Sequence, residues 1–436
     1  MSITIWHDQV MAVALFLLAG FSILTPTLLD SSGAGQGNFT RQAGYSLLLG
    51  LIMVALRPGQ KVRALDSIPQ PILMTLAFCW LSMAWAINPE IAFRRLILLT
   101  VVTWSVFIAV RQLGFRSTIQ ALRYVLILIL VLNFATVALW PSIGIHQFDE
   151  HGDLGLAGDW KGVLQEKNLA GAVCAITILV LIFGQNLKRA HWHLILILPA
   201  ALFLWRSGSK TSMVALAGAL CGGGLFSFYR PAFRLEAVLL LLMAACFVFL
   251  LELVYWDELS ATLWRDGAFT GRSQIWGALL HYLGDNWLLG AGYGSFWNIG
   301  PESPIYIYAN NQSWISTITS AHNGYLELAV QLGIPGMVLA TVALLFVPLS
   351  RLLANANMPP QHRAFLVAAL IFCSCQNLTE ASMLNRDSII HIFWMVAIAL
   401  VGIRGEPATD RTVGSSITRA GRGFASTDNK APRDWF

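Results

Sequence analysis

Four short polar segments hold the residues that could do chemistry in a chain that is otherwise 56% apolar and only 12% charged. Arg206 and Lys210 lie in Trp205-Arg206-Ser207-Gly208-Ser209-Lys210-Thr211, and Arg272 lies in Thr270-Gly271-Arg272-Ser273-Gln274-Ile275-Trp276. An arginine presents a planar fork of donors that stays charged and meets two phosphate oxygens at once. His322, Asn323 and Glu327 lie in Ala321-His322-Asn323-Gly324-Tyr325-Leu326-Glu327. His322 is placed in the first turn of a helix, where the positive end of the dipole favours a neutral imidazole able to accept a proton. Asn323 and Glu327 are four apart and share a face. Lys167 and Asn168 end the run that begins at Gly158 and open another helix, whose N-terminus attracts anions. Together these groups suit a site that holds a pyrophosphate beside a proton acceptor. Each has a plainer reading. Arg206 could snorkel to an interface, Arg272 could pair with Asp266 or Glu258, Lys167 could be flanking charge, and His322 could be structural.

The elements that position these segments are apolar helices. The spacing of apolar runs places them at about 10–29, 43–57, 70–87, 95–110, 122–141, 168–187, 192–206, 211–229, 235–253, 321–349, 364–384 and 387–403. This is an all-α polytopic membrane fold with about 12 transmembrane helices. Placing the N-terminus in the cytoplasm puts eighteen of the 28 basic residues inside, so both termini are expected there. No Lys or Arg precedes Arg41, so the first apolar run is expected to stay as a helix and not to act as a signal peptide. Two outer connections are long, 141–167 and 254–320, and the second holds Trp256, Trp264, Trp276, Trp287, Trp297 and Trp314. A disordered linker is poor in aromatics, so this loop between helices 9 and 10 is expected to fold as a cap, with some tryptophans in an interfacial belt. Residues 1–403 then form one transmembrane domain with 254–320 as its extracytoplasmic loop, and 404–436 form a disordered basic cytoplasmic tail. The six cysteines fall in apolar segments without metal-ligand spacing and are read as small buried residues.

The four segments, in this order, resemble the O-antigen ligase and Wzy-type polysaccharide polymerase family. The resemblance rests on Lys167-Asn168-Leu169-Ala170-Gly171, Arg206-Ser207-Gly208-Ser209, Gly271-Arg272-Ser273-Gln274-Ile275-Trp276, His322-Asn323-Gly324-Tyr325-Leu326 and Gly333-Ile334-Pro335-Gly336. Gly162-Val163 before Lys167, and Asn377-Leu378-Thr379-Glu380 late in the chain, point to the exopolysaccharide polymerase branch. The resemblance implies an inverting, metal-independent glycosyltransferase of the GT-C type in the bacterial inner membrane, with no cofactor. Its donor would be an undecaprenyl-pyrophosphate-linked oligosaccharide and its acceptor a glycan hydroxyl. Arg206 and Arg272 would hold the pyrophosphate and His322 would orient or deprotonate the acceptor. Lys167, Asn168, Lys210, Asn323 and Glu327 are the expected substrate-binding residues. Membrane lipid and other polysaccharide export proteins are the expected partners; nucleic acid is not.

A polymerase and a ligase share this donor site and differ only in acceptor. A lipid-linked sugar flippase would instead line a central cavity with charge, and the helix interiors read from the sequence hold little besides His391. A scaffold would leave Arg206, Arg272 and His322 replaceable.

Overall fold

The computed structural model describes residues 2–29, 39–56, 66–147, 156–184, 191–255, 271–309, 318–386 and 388–403. These residues are helical with irregular connections, and no strand occurs among them. The long helices are α1 (Ser2–Leu29), α2 (Phe39–Ala55), α3 (Gln70–Leu81), α4 (Pro89–Leu139), α5 (Lys167–Phe183), α6 (His191–Arg206), α7 (Lys210–Phe228), α8 (Arg234–Val254), α9 (Arg272–Asn286), α10 (Gly324–Thr341), α11 (Val347–Ala354), α12 (Pro360–Gln376) and α13 (Ile389–Val401). A helix therefore stands at every position the apolar runs mark. Among the described residues, three stretches are both long and apolar enough to cross a bilayer: Pro89–Leu139, Lys210–Phe228 and Gly324–Ala354. Others, such as Ile195–Arg206, are apolar but shorter. Large apolar side chains stand exposed along the helices, among them Leu47, Val54, Leu198 and Phe228. Water would penalise such faces; lipid accepts them. The chain is a membrane protein.

Two glycine breaks shape the long helices. At 51 residues α4 would run about 77 Å if straight. Gly114, at φ 69° and ψ −177°, divides it into the two helices expected from the sequence. Gly333, at φ 71° and ψ 173°, divides α10 in the same way. There the break receives another segment: Ile334 N donates to Trp287 O at 2.7 Å, and Ala291 N donates to Val330 O at 2.9 Å. A Cβ on Gly333 would run into the carbonyl of Leu288. Pro335 follows and lacks the N–H that would continue the ladder. We expect Gly333→Ala to lower thermal stability by about 1–3 kcal/mol, because it combines a positive φ with a backbone collision. The check is a shift in melting temperature of purified protein against a Gly284→Ala control, where a Cβ meets nothing within 4 Å.

The core centres on α13, all thirteen residues of which are buried. A helix that is apolar on every side belongs in the interior. Trp394 Nε1 donates to Leu344 O at 3.0 Å, a carbonyl in the π-helical turn Val342–Phe346 that joins α10 to α11. His391 is enclosed in the same helix, and its ring nitrogens find no hydrogen-bond partner among the described residues. The α7–α12 contact uses small residues: a Cβ on Gly223 would stand 2.8 Å from the Cβ of Ala368. Close helix approach through glycine is a membrane packing device.

Four expectations are corrected here. Cys221 and Cys246 are exposed and Cys375 half-buried, because they lie on outer faces of apolar helices where lipid and not protein covers them. The helix expected at 321–349 starts at Gly324, so His322 precedes it. The helix expected at 364–384 ends at Gln376, leaving 377–386 as a folded connection. Trp276 and Trp297 do not form a belt: their indole N–H groups bond to Ala321 O (3.0 Å) and to Glu327 Oε2 (2.9 Å). Trp256, Trp264, Trp314 and the tail from 404 lie outside the described residues.

Candidate active site

Glu380 is the centre of a polar cluster built from four separate parts of the chain. Arg272, the first residue of α9, donates Nη2–H to Glu380 Oε1 at 2.7 Å. Asn168, in the first turn of α5, donates Nδ2–H to the same oxygen at 2.8 Å. The other carboxylate oxygen lies 3.5 Å from Nδ1 of His322. Arginine, glutamate and histidine are all largely shielded from solvent.

Local structure holds each group in place. Asn377 ends α12 and folds the next turn around its side chain: Oδ1 accepts from Ser382 N (2.9 Å) and Met383 N (2.8 Å), and Nδ2 donates to Cys373 O and Ser382 Oγ. The carbonyl of Asn377 accepts from Gly324 N at 2.8 Å, which ties the Glu380 turn to the start of α10. Gly324 has no room for a side chain against Asn377. Thr379 and Thr211 share a hydroxyl hydrogen bond of 2.6 Å and bring α7 to the same place. His322 itself sits at φ 46°, in the left-handed region. Non-glycine residues enter that region sparingly, and such conformations gather at functional sites.

Other expected site residues have mainly structural partners. Asn323 is the N-cap of α10, its Oδ1 accepting from Tyr325 N and Leu326 N. His322 therefore stands before the helix and not in its first turn, and the group that faces it is the Glu380 carboxylate. Glu327 does not share an open face with Asn323. Its carboxylate is turned inward to Ala321 N (2.8 Å), Trp297 Nε1 and Gln331 Nε2 (2.5 Å), where it fixes the segment bearing His322. Lys167 pairs with Asp159 at 2.6 Å. Arg206 is exposed and lies over the Trp160 ring at 5.0 Å, while its carbonyl accepts from Trp160 N. Lys210 is exposed at the start of α7. The Arg206 turn packs on α5 beside Asn168, where a Cβ on Gly171 would press on the Ser209 side chain. The structure thus brings Asn168, Arg272 and His322 together. It sets Arg206, Lys210 and Lys167 nearby without a direct contact to Glu380.

A cavity of about 380 Å³ opens beside the cluster, with Asn168, His322 and Glu380 in its wall. Arg95, on α4, also lines it and clamps the turn after Gly294 through Nη1 to Gly294 O (2.5 Å) and Trp297 O (2.8 Å). The glycines at 290, 292 and 294 all have positive φ. A Cβ on Gly292 would fall 2.6 Å from the Cα of Ala86, so this run serves close packing of the segment against α3 and α4. Among the described residues no three His, Cys, Asp or Glu side chains group as metal ligands.

Residues 194–341 match the family model described as O-antigen ligase. A protein of Rhizobium meliloti described as exopolysaccharide production protein ExoQ is 24% identical over 373 residues, which is 81% of each chain. The family match includes Arg206, Arg272 and His322 but stops short of Asn168 and Glu380. Sequence reasoning did not select Glu380, Asn377, Arg95 or Arg386. A signal for the first two existed, since Asn377-Leu378-Thr379-Glu380 stood out as a polar run after an apolar one.

Proposed function

We propose that this O-antigen ligase family chain is a polysaccharide polymerase. It transfers a glycan from an undecaprenyl-pyrophosphate-type carrier to an acceptor sugar hydroxyl on the extracytoplasmic side. The observation that carries this is the meeting of Arg272, Asn168 and His322 on one carboxylate at the wall of a polar cavity. In this mechanism Nδ1–H of His322 donates a hydrogen bond to the Glu380 carboxylate, a small ring rotation shortening the 3.5 Å separation. Nε2 is then the base. It takes the acceptor O–H proton as that oxygen bonds to the anomeric carbon. The bond from that carbon to the phosphate oxygen breaks, and its electron pair leaves with the lipid diphosphate. Attack opposite the leaving group inverts the anomeric centre. One nitrogen of Arg272 is held by Glu380, and its remaining N–H groups face the diphosphate. Arg206 neutralises it from the neighbouring turn. Cationic donors can stabilise a departing anion without a metal, so we expect transfer to persist in EDTA. Loss of activity that returns with Mg²⁺ or Mn²⁺ would refute that.

The relative's description as an exopolysaccharide production protein supports the polymerase reading. The family's description as O-antigen ligase supports a ligase with the same donor. Deleting the gene separates them. A polymerase mutant accumulates single repeat units, whereas a ligase mutant leaves full-length polymer on its carrier. A flippase mutant retains substrate inside the cell.

We further propose an inner-membrane location with both termini cytoplasmic. Ile307 is highly exposed, so a cysteine there reports the side of the cap. In a cysteine-free background an impermeant thiol reagent should label Ile307→Cys in spheroplasts and leave Ser426→Cys unlabelled until lysis. The reverse pattern overturns the topology.

A further inference from the structure

The cavity beside His322 has a second cationic feature that the donor mechanism does not use. Arg386, from the connection that follows Glu380, lines its wall, as does Arg95, whereas Arg206 and Arg272 do not. The fork of Arg95 is occupied by the carbonyls of Gly294, Trp297 and Asn298. Arg386 is half-buried and lines the same wall as Arg95. It makes no hydrogen bond or ion pair with any described residue. Three carboxylates line the same cavity, and none of them pairs with it. Glu380 serves Arg272 and Asn168, and Glu327 serves Ala321 N, Trp297 and Gln331. Glu166 is the third. Arg41 lines the wall as well. A guanidinium in such a wall without a counter-charge among the described residues is costly to shield from water unless an anion joins it. The rest of the wall includes Gln165, Asn298, Thr319, Ser320 and Asn385, amides and hydroxyls suited to sugar hydroxyls.

We propose that this cavity is the acceptor pocket, and that Arg386 recognises an anionic group carried by the acceptor. The group is a carboxylate or a phosphate, since both present two oxygens to a guanidinium fork. Its source is either an acidic sugar of the acceptor glycan or the diphosphate of the acceptor's own lipid carrier. The anion site stands on geometry alone; its assignment to the acceptor rests on the function proposed above.

The test uses the purified full chain in nanodiscs, titrated calorimetrically with sodium glucuronate, inorganic pyrophosphate and glucose. An acidic-sugar source predicts that glucuronate binds the wild type and that Arg386→Gln weakens it about 10–100-fold, the loss of charge-assisted hydrogen bonds. Arg272→Gln should leave glucuronate affinity unchanged. A carrier source predicts two pyrophosphate sites, one removed by Arg386→Gln and the other weakened by Arg272→Gln. Glucose affinity should be the same in all variants. Arg386→Lys keeps charge without the fork, should bind with intermediate affinity, and serves if the glutamine variant fails to fold. Wild-type affinity for both anions in Arg386→Gln, or no binding of either anion by the wild type, overturns the proposal. If the anion site is found but gene deletion leaves cell polymer unchanged, the proposed function fails and the anion site stands.

Discussion

His322→Ala lowers glycan transfer by about 10²–10⁴-fold, roughly 3–5 kcal/mol of activation free energy, while protein level and donor affinity stay near wild type. An acceptor hydroxyl is a weak nucleophile and gains from a base placed to take its proton. His322 borders the cavity, and its Nδ1 faces the Glu380 carboxylate, which leaves Nε2 for the acceptor. Two further variants separate base catalysis from orientation. Glutamine can hydrogen-bond but cannot take a proton at neutral pH. Asparagine does the same and also tolerates the left-handed backbone that His322 adopts at φ 46°. Base catalysis predicts that both fail as alanine does. A purely orienting histidine predicts substantial rescue by one of them, and a structural histidine predicts low protein level in alanine and glutamine variants with recovery in asparagine. Turnover of purified enzyme on lipid-linked donor, beside donor affinity, decides among these.

The second large effect is expected at Glu380, and it differs in kind from that of its partner Arg272. Glu380→Gln keeps an oxygen for Asn168 and Arg272 but removes the charge facing His322. We expect a fall in kcat of about 10–100-fold, the worth of a hydrogen bond to a charged group, with donor affinity little changed. Glu380 acts here as a positioning residue, since the reacting atoms meet His322 and not the carboxylate. Arg272→Lys, in contrast, keeps charge but loses the fork, and should weaken donor binding more than it lowers kcat. Arg206→Lys should resemble it. Equal loss of protein in Glu380→Gln and Arg272→Lys, with normal activity per folded molecule, would reduce the pair to a structural ion pair. Normal polymer from both lysine variants would show that simple charge suffices at the donor site.

The parts of this site that were legible in the sequence are those where a polar group interrupts an apolar chain. Arg272, His322 and Asn168 each begin or precede a helix, so their segments stood out, and the structure joins them. Gly333-Ile334-Pro335-Gly336 was legible as well, although its purpose, a break that receives the Trp287 and Leu288 carbonyl region, needs three dimensions. Glu380 was legible within Asn377-Leu378-Thr379-Glu380 but not as a site residue, because apolar residues continue past Gln376 and extend the apparent helix over it. What ends α12 is the side chain of Asn377, which satisfies the backbone of the next turn, and hydropathy carries no trace of that. Glu327 lines the cavity but is held by partners that the sequence did not show. Its spacing from Asn323 suggested a shared binding face, but the partners that capture it, Ala321 N and Trp297, approach from outside the helix.

The most direct test of the central claim is a reconstituted transfer reaction. Purified chain is given a synthetic lipid-diphosphate-linked repeat unit with a fluorescent acceptor of the same sugar, and products are separated by length. The account predicts longer glycans bearing an inverted linkage, with one lipid diphosphate released for each bond formed, and neither product from His322→Ala. Donor that stays intact with active wild-type protein present, or glycan growth that continues unchanged in His322→Ala, would contradict it.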